Sequence, residues 1–226
     1  MSAISKCFTA DSVRKFSDPI DKDRWAMTPQ TVNCFYHPTS NTITILGAFA
    51  QGNIYNKDMS NEELYGKLGV VIGHEISHAF DRRGAQFDKE GNIASWWTEE
   101  DYAAFTERNA RLAAFFEEMH PWEGQDFYGS IVTGEACADM AGMKAALLAV
   151  RDIEDFDYDA FFRAYTELWL TRSTMQREYQ MLSNEHPMQY LRVNATLQQF
   201  DEFLEFYGIE EGDGMYLAPE DRVNIW

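Results

Sequence analysis

Residues 60–82 limit the possible folds more than any other part of the sequence. Ser60 and Glu63 have the spacing of a capping box, in which each side chain pairs with the other residue's backbone at a helix start. Apolar residues then recur at three- and four-residue steps, the period of one helix face. They are Leu64, Leu68, Val71, Ile72, Ile76 and Ala79. We predict a helix over residues 60–82 whose apolar face must pack against a core.

This helix contains the sequence His74-Glu75-Ile76-Ser77-His78. Residues four apart lie on one helix face, so both imidazoles can bind one metal ion while Glu75 points toward its open side. The alternative is two ordinary histidines on the surface or in the core. The complete motif, its apolar helix and the total of only five histidines favour a catalytic zinc ion.

A catalytic zinc site needs a third protein ligand and leaves the fourth position to water. Glu135 is the best candidate, because it lies in a stretch of small residues and Asp139 follows one helical turn later. One carboxylate could bind the metal while the other accepts a hydrogen bond from a ligand histidine and fixes its tautomer. The spacing alone is weak, since acids four apart on a helix are more often solvent-exposed.

The remaining sequence predicts a mainly helical α+β chain. Residues 1–30 contain Pro19 and Pro29 and are predicted to be an extended lead-in. Residues 31–36 and 41–46, separated by turn-forming residues, predict a β-hairpin. Further helices are predicted at residues 98–118, 133–150, 158–181 and 187–207.

Length and charge narrow the class of protein. The 226 residues suit one domain, with two small domains as the alternative. The net charge of −18 opposes binding to nucleic acid or an anionic membrane. Three scattered cysteines indicate neither a disulfide framework nor a thiolate site. With no export signal or membrane span in the sequence as given, we expect a soluble protein, cytoplasmic as it stands or extracellular if it is a fragment of an exported parent.

Separated motifs in a fixed order carry a family resemblance. They are Asp21-Lys22-Asp23-Arg24-Trp25, Val32-Asn33-Cys34-Phe35-Tyr36, residues 71–81, Trp96-Trp97-Thr98, Gly134-Glu135 with Asp139, and His186-Pro187 with Arg192-Val193. Over nearly the whole chain the sequence resembles the C-terminal catalytic region of the neprilysin (neutral endopeptidase) family of gluzincin metallopeptidases, in a bacterial-type form. The resemblance implies a thermolysin-like catalytic domain with a small β-sheet, formed by residues 1–226 as a single domain.

The resemblance also implies the roles of individual residues. The ligands of one zinc ion would be His74, His78 and Glu135, with Glu75 as the catalytic carboxylate and Asp139 as a support for the metal ligands. His186 would stabilise the tetrahedral intermediate, Arg192 would bind a substrate carbonyl, and Asn33, on an edge strand, would pair with the peptide main chain. An apolar pocket for the residue after the scissile bond is implied at Phe49, Val70, Val71 and Trp169, with four simple core residues as the alternative.

We therefore expect a zinc metalloendopeptidase that cleaves short peptides when Glu75 assists the attack of zinc-bound water. One alternative is a zinc-stabilised module that binds peptide without cutting it. Another is a fragment that is inactive without a missing domain, because family members carry a large helical N-terminal domain over the active site and this sequence lacks it. The surface under that roof would then be free for self-association or for the missing domain.

Overall fold

The structure, a computed structural model, describes residues 2–225. It is mainly helical with one small sheet, which confirms the predicted class. The strands are β1 (Cys34–His37) and β2 (Thr42–Ile45). The helices are α1 (Ala3–Arg14), α2 (Asn61–Leu64), α3 (Val70–Ser77), α4 (Glu99–Glu117), α5 (Gly129–Val150), α6 (Tyr158–Leu168), α7 (Met175–Met181), α8 (Gln189–Leu197) and α9 (Asp201–Tyr207).

Residues 1–30 are predicted to form an extended lead-in, but part of this segment is helical. Residues Ala3–Arg14 form α1, where the Ser2 hydroxyl accepts a hydrogen bond from the backbone N–H of Ser5. Pro19 and Pro29 prevent a helix only at the residues next to them. No proline or glycine precedes Pro19, so a helix can form before it. The prediction of an extended segment is therefore wrong for Ala3–Arg14. Met1, which that prediction also covered, lies outside the described residues.

The predicted β-hairpin is confirmed with shorter strands. β1 and β2 pair antiparallel, with Cys34 opposite Ile45 and His37 opposite Thr42. Asn41 adopts a left-handed backbone conformation with φ of 49° in the connecting turn, which asparagine tolerates better than most residues. Among the described residues the sheet has only these two strands, so the other edge of β1 is unpaired.

The helix predicted at residues 60–82 is interrupted and ends early. The capping box of Ser60 and Glu63 starts α2 as predicted, but Tyr65–Gly69 forms a π-helical turn before α3 begins. α3 ends at Ser77, because the carboxylate of Asp81 accepts hydrogen bonds from the backbone N–H groups of Arg83 and Gly84 and closes a turn. That turn depends on Gly84, since a Cβ atom there would lie 1.9 Å from the carbonyl oxygen of His78.

Two other long predicted helices are each divided in two. The helix predicted at 158–181 is broken between α6 and α7, where Thr174 accepts a hydrogen bond from the backbone N–H of Arg177 and starts a new helix. The helix predicted at 187–207 is broken between α8 and α9, where the side chain of Gln199 accepts from the backbone N–H of Val223. The helix predicted at 98–118 matches α4, and that predicted at 133–150 begins four residues early, at Gly129.

The close packing of α5 against α3 determines the position of the site. α5 is buried along most of its length, between one apolar cluster that includes Leu112 and Phe116 and another that includes Phe161 and Phe162. Its backbone approaches α3 so closely that a Cβ atom on Gly142 would lie 2.4 Å from the carbonyl oxygen of Val70. Residues one to two turns before Gly142 on α5 therefore face those of α3.

Candidate metal centre

Two helices bring three metal-binding side chains together. α3 and its C-terminal residue present His74 and His78, and α5 presents Glu135. The Nε2 atoms of the two histidines are 3.0 Å apart, and the Glu135 oxygens lie 3.3 Å from Nε2 of His74 and 3.6 Å from that of His78. Ligands of a tetrahedral ion with bonds of about 2.0–2.1 Å are separated by about 3.3 Å, so the spacing suits zinc.

The hydrogen-bond partners of the two imidazoles indicate a site for a cation. Nδ1 of His74 lies 2.8 Å from Asp139, and Nδ1 of His78 lies 2.6 Å from Asp81. A carboxylate accepts a hydrogen bond, so each neutral imidazole carries its proton on Nδ1 and turns a lone pair on Nε2 toward Glu135. Oε2 of Glu135 is buried and has no hydrogen-bond partner within residues 2–225. Three lone-pair donors that converge in this way fit a metal ion.

Without a metal, a proton must replace part of that positive charge. Burial lowers the pKa of His74, but the neighbouring carboxylates of Asp139 and Glu135 outweigh it and raise the pKa to about 9. Burial also opposes ionisation of Glu135, yet the nearby histidines hold the pKa of its carboxyl below the usual value. The site therefore keeps its carboxylate charged and attracts a cation.

Glu75 lies beside the three ligands without joining them. Its side chain is buried, and its Oε2 atom has no hydrogen-bond partner among the described residues. Burial raises its pKa, although His74 and His78 act in the opposite direction. A carboxylate in this environment is a stronger base than one in water, which suits proton transfer.

Asp139 connects the metal centre to Arg192. Its two oxygens accept hydrogen bonds from Nε and Nη2 of Arg192 at 2.7 and 2.6 Å, in addition to the one from His74. Burial opposes ionisation, but Arg192 and His74 lower the pKa of Asp139 to about 2. The guanidinium carbon of Arg192 also lies 3.6 Å from the centre of the Trp169 ring. Arg192 is thus held rigidly by a carboxylate and an aromatic face.

His186 reaches the same centre from the loop between α7 and α8. Its Nε2 atom is 3.3 Å from Oε2 of Glu135, and its side chain is 44% exposed. Oδ1 of Asn184 lies 2.9 Å from the backbone nitrogen of His186 and 3.1 Å from Nδ1, so it orients the ring. Burial lowers the pKa of His186.

An open cleft of about 600 Å³ contains the centre. Residues of β1 line one wall together with the preceding Asn33, whose side chain accepts a hydrogen bond from the backbone N–H of Cys34. His74, Glu75, His78, Glu135 and His186 also line the cleft. The structure thus brings six of the twelve sequence-predicted site residues to one cavity beside an open strand edge.

The residues predicted for an apolar subsite do not line this cleft. Val70 and Val71 are 1% and 6% exposed, and Val70 belongs to the apolar cluster around Phe161. Phe49 is partly buried in the turn after β2. Trp169 packs on Arg192 and borders a separate cavity of about 350 Å³. Val70 therefore fits the core alternative, and the subsite stays a prediction.

The sequence patterns did not identify two residues that contact histidines of the site, Asp81 and Asn184. Asp81 lies three residues after His78, so the spacing of neighbours on a helix could have identified it as a partner of Nδ1. Asn184 lies two residues before His186, and no pattern in the sequence marks it. Both residues orient imidazole rings that border the centre.

None of the helices within residues 2–225 has the length and apolar character needed to cross a bilayer. The profile of peptidase family M13 matches residues 33–223. The neutral endopeptidase of Lactococcus lactis subsp. lactis (strain IL1403) is 41% identical over 219 residues, which cover 96% of this chain and 35% of that relative.

Solved structures agree with this match. The crystal structure of PepO from Lactobacillus rhamnosis HN001 is similar with a TM-score of 0.86 and 36% identity, over 92% of this chain and 33% of that one. The zinc metalloprotease Zmp1 of Mycobacterium tuberculosis, in complex with an inhibitor, gives a TM-score of 0.87 and 30% identity, over 96% and 36%. This chain spans about a third of the length of these relatives. The predicted family is confirmed: the chain belongs to peptidase family M13.

Proposed function

We propose that this chain is the catalytic part of a zinc-dependent endopeptidase that hydrolyses short peptides. The convergence of Nε2 of His74, Nε2 of His78 and the Glu135 carboxylate carries this proposal, because three lone-pair donors at 3.0–3.6 Å suit a catalytic zinc ion. The names of the relatives, neutral endopeptidase and zinc metalloprotease, support the same activity.

A bound zinc ion would polarise a peptide carbonyl as a Lewis acid and would lower the pKa of water at the site to about 7. Glu75 then acts as the base and acid. Its buried Oε2 atom has no hydrogen-bond partner in the described part of the chain, and its raised pKa favours taking a proton from the attacking water and giving it to the leaving amine. Asp139 and Asp81 hold the ligand imidazoles in the tautomer that leaves Nε2 free.

Other residues in the cleft, and Arg192 behind the metal centre, would bind the substrate. The open edge of β1 can accept a peptide as an added strand, with Asn33 at its start. His186, whose ring borders Glu135, would hydrogen-bond the oxyanion of the tetrahedral intermediate. Arg192 would bind a substrate carbonyl while Asp139 and Trp169 hold it in place. The preference for an apolar residue after the cleaved bond stays a prediction.

Zinc content and cleavage of a quenched fluorescent peptide test the proposal together. We expect the purified chain to bind one zinc ion and to cleave the peptide. Glu75→Gln should keep the zinc and lose cleavage by at least about a hundredfold, because general acid–base catalysis contributes 10²–10⁴-fold. Glu107→Gln, an exposed change of the same chemistry on α4, should have no effect.

The alternatives give different results in the same experiment. A peptide-binding module would bind zinc and peptide without cleavage in the wild type. A fragment that requires the rest of the longer relatives would gain activity only when that part is supplied. Equal cleavage by the wild type and Glu75→Gln would contradict the assigned mechanism.

A further inference from the structure

Two arginines lie at one end of the cleft and have no assigned role. Arg82 and Arg83 follow α3 directly, and both line the cavity that contains the metal-binding triad. Both are exposed, and neither forms an ion pair with any carboxylate in residues 2–225. An unpaired guanidinium in a cleft is available for an incoming carboxylate, which it can bind through two parallel hydrogen bonds.

The backbone of this arginine pair is held firmly relative to the metal centre. One oxygen of Asp81 lies 2.6 Å from Nδ1 of His78, and the other accepts hydrogen bonds of 2.7 Å from the backbone N–H groups of Arg83 and Gly84. A single carboxylate therefore links a metal-ligand candidate to the arginine turn. Both oxygens of Asp81 are occupied in this way, and within residues 2–225 the carboxylate forms no ion pair with either guanidinium group.

The direction of β1 gives the distance of the arginines from the reacting bond. Cys34, the first residue of β1, lines the cleft together with Glu75. Tyr36, on the same face of β1 two residues later, lines the cleft together with Asp81 and the two arginines. Two residues of a strand span about 7 Å. A peptide along β1 would thus reach the arginine turn about two residues from the bond at Glu75.

Charge makes this end of the cleft distinctive. The whole chain carries a net charge of −18, so an acidic peptide is repelled by most of the molecule. Arg82 and Arg83 place two positive charges side by side on the cleft wall, while the acidic residue Glu185 lines the same cleft without an ion pair among the described residues. The arginine pair can attract and orient an acidic group there.

We propose that Arg82 and Arg83 form a subsite that selects peptides with a carboxylate about two residues from the cleaved bond. This inference rests on the proposed peptidase function and adds a substrate class to it. The carboxylate can belong to an aspartate or glutamate side chain or to a peptide terminus. The cleft provides the same recognition for both, because a guanidinium pairs with either.

A set of matched peptides tests the subsite. Terminally blocked peptides would carry Glu or Gln two positions before or two positions after the cleaved bond, and a further pair would have a free or an amidated C-terminus. We expect the Glu peptide in one of the two positions to be cleaved with a kcat/KM about five- to tenfold above its Gln counterpart at low salt. The preference should shrink at 0.5 M NaCl, because salt screens exposed charges.

The variant R82Q/R83Q should lose this preference and give a Glu-to-Gln ratio near one. R172Q/R177Q is the matched control, since it removes the same charge from two exposed arginines that do not line the cleft and should keep the wild-type ratio. A preference confined to the free C-terminus would assign the subsite to the terminal carboxylate. No preference at either position or terminus, or equal loss in both variants, would overturn the inference.

Binding separates this inference from the proposed function. Fluorescence anisotropy of labelled Glu and Gln peptides on the zinc-loaded chain reports selection without cleavage. If the wild type cleaves nothing but binds the Glu peptide more tightly, and R82Q/R83Q does not, the subsite stands and the peptidase proposal fails. If cleavage occurs with no charge preference in either assay, the peptidase proposal stands and the subsite fails.

Discussion

Asp81 lies 2.6 Å from Nδ1 of His78, the counterpart of the 2.8 Å contact between Asp139 and His74. The two carboxylates come from different elements, yet each fixes one imidazole in the tautomer that frees Nε2. Partners of this kind typically strengthen metal binding 10- to 100-fold. The metal centre therefore depends on two carboxylates that do not touch the metal-binding atoms.

The first prediction concerns zinc affinity. Asp81→Ala should weaken zinc binding by about 10- to 100-fold, because the His78 ring loses the acceptor that orients it. Asp81→Asn should also weaken it, since its one oxygen can accept the Nδ1 proton only if its NH2 group faces the backbone N–H groups of Arg83 and Gly84. Competition with a fluorescent zinc chelator measures both, and Asp58→Asn at an exposed surface pair is the control. Unchanged affinity in Asp81→Ala would show that the contact does not support the metal centre.

The second prediction compares two arginine–aspartate pairs that differ in burial. Arg192 and Asp139 are almost completely buried, so Arg192→Met leaves the buried Asp139 charge with only its His74 contact and should destabilise the fold by about 3–5 kcal/mol. Arg163 pairs with Asp159 on the surface, and Arg163→Met should change stability far less. Urea unfolding measures both. Adding Asp139→Asn to Arg192→Met should recover part of the loss, and no recovery would contradict this explanation.

The third prediction tests the close approach of α3 and α5. A Cβ atom on Gly142 would lie 2.4 Å from the carbonyl oxygen of Val70 and 2.8 Å from the backbone nitrogen of His74. Gly142→Ala should therefore separate the helices, lower stability by about 1–3 kcal/mol and weaken zinc binding. Gly214→Ala, where a Cβ meets no atom within 4 Å, is the control for both measurements. Equal zinc affinity in the two variants would mean that the metal centre tolerates the displacement.

Local patterns in the sequence predicted much of this site. The spacing of His74 and His78 and the one-turn separation of Glu135 and Asp139 depend on helix geometry alone, and α3 and α5 have that geometry. Gly142 brings the helices together, but its contact with Val70 is 72 residues away in sequence and no local pattern indicates it. The roles of His186 and Arg192 came only from the family resemblance, because their positions depend on long-range packing.

The failures have the same physical origin. Periodicity predicted continuous helices across residues 169–174 and 198–200, where the apolar spacing persists but capping by Thr174 and the long-range bond from Val223 to Gln199 end them. The early end of α3 depends on the Asp81 side chain, which closes a turn onto Gly84. In each case a side chain to backbone hydrogen bond outweighs helix propensity.

The fourth prediction concerns the thiol of Cys34, which lies in the cleft wall beside Glu75. Burial and the Glu75 carboxylate raise the pKa of Cys34 to about 12. Only the thiolate is alkylated readily, and at pH 8 a thiol with this pKa is almost entirely protonated. Iodoacetamide should therefore label the exposed Cys7 rapidly and Cys34 slowly, while the buried Cys137 stays protected. Peptide mass spectrometry measures each site, and unfolding in urea is the control that should equalise all three. Glu75→Gln should speed labelling of Cys34, because it removes the negative charge that opposes the thiolate, and an unchanged rate would place that carboxylate away from the thiol.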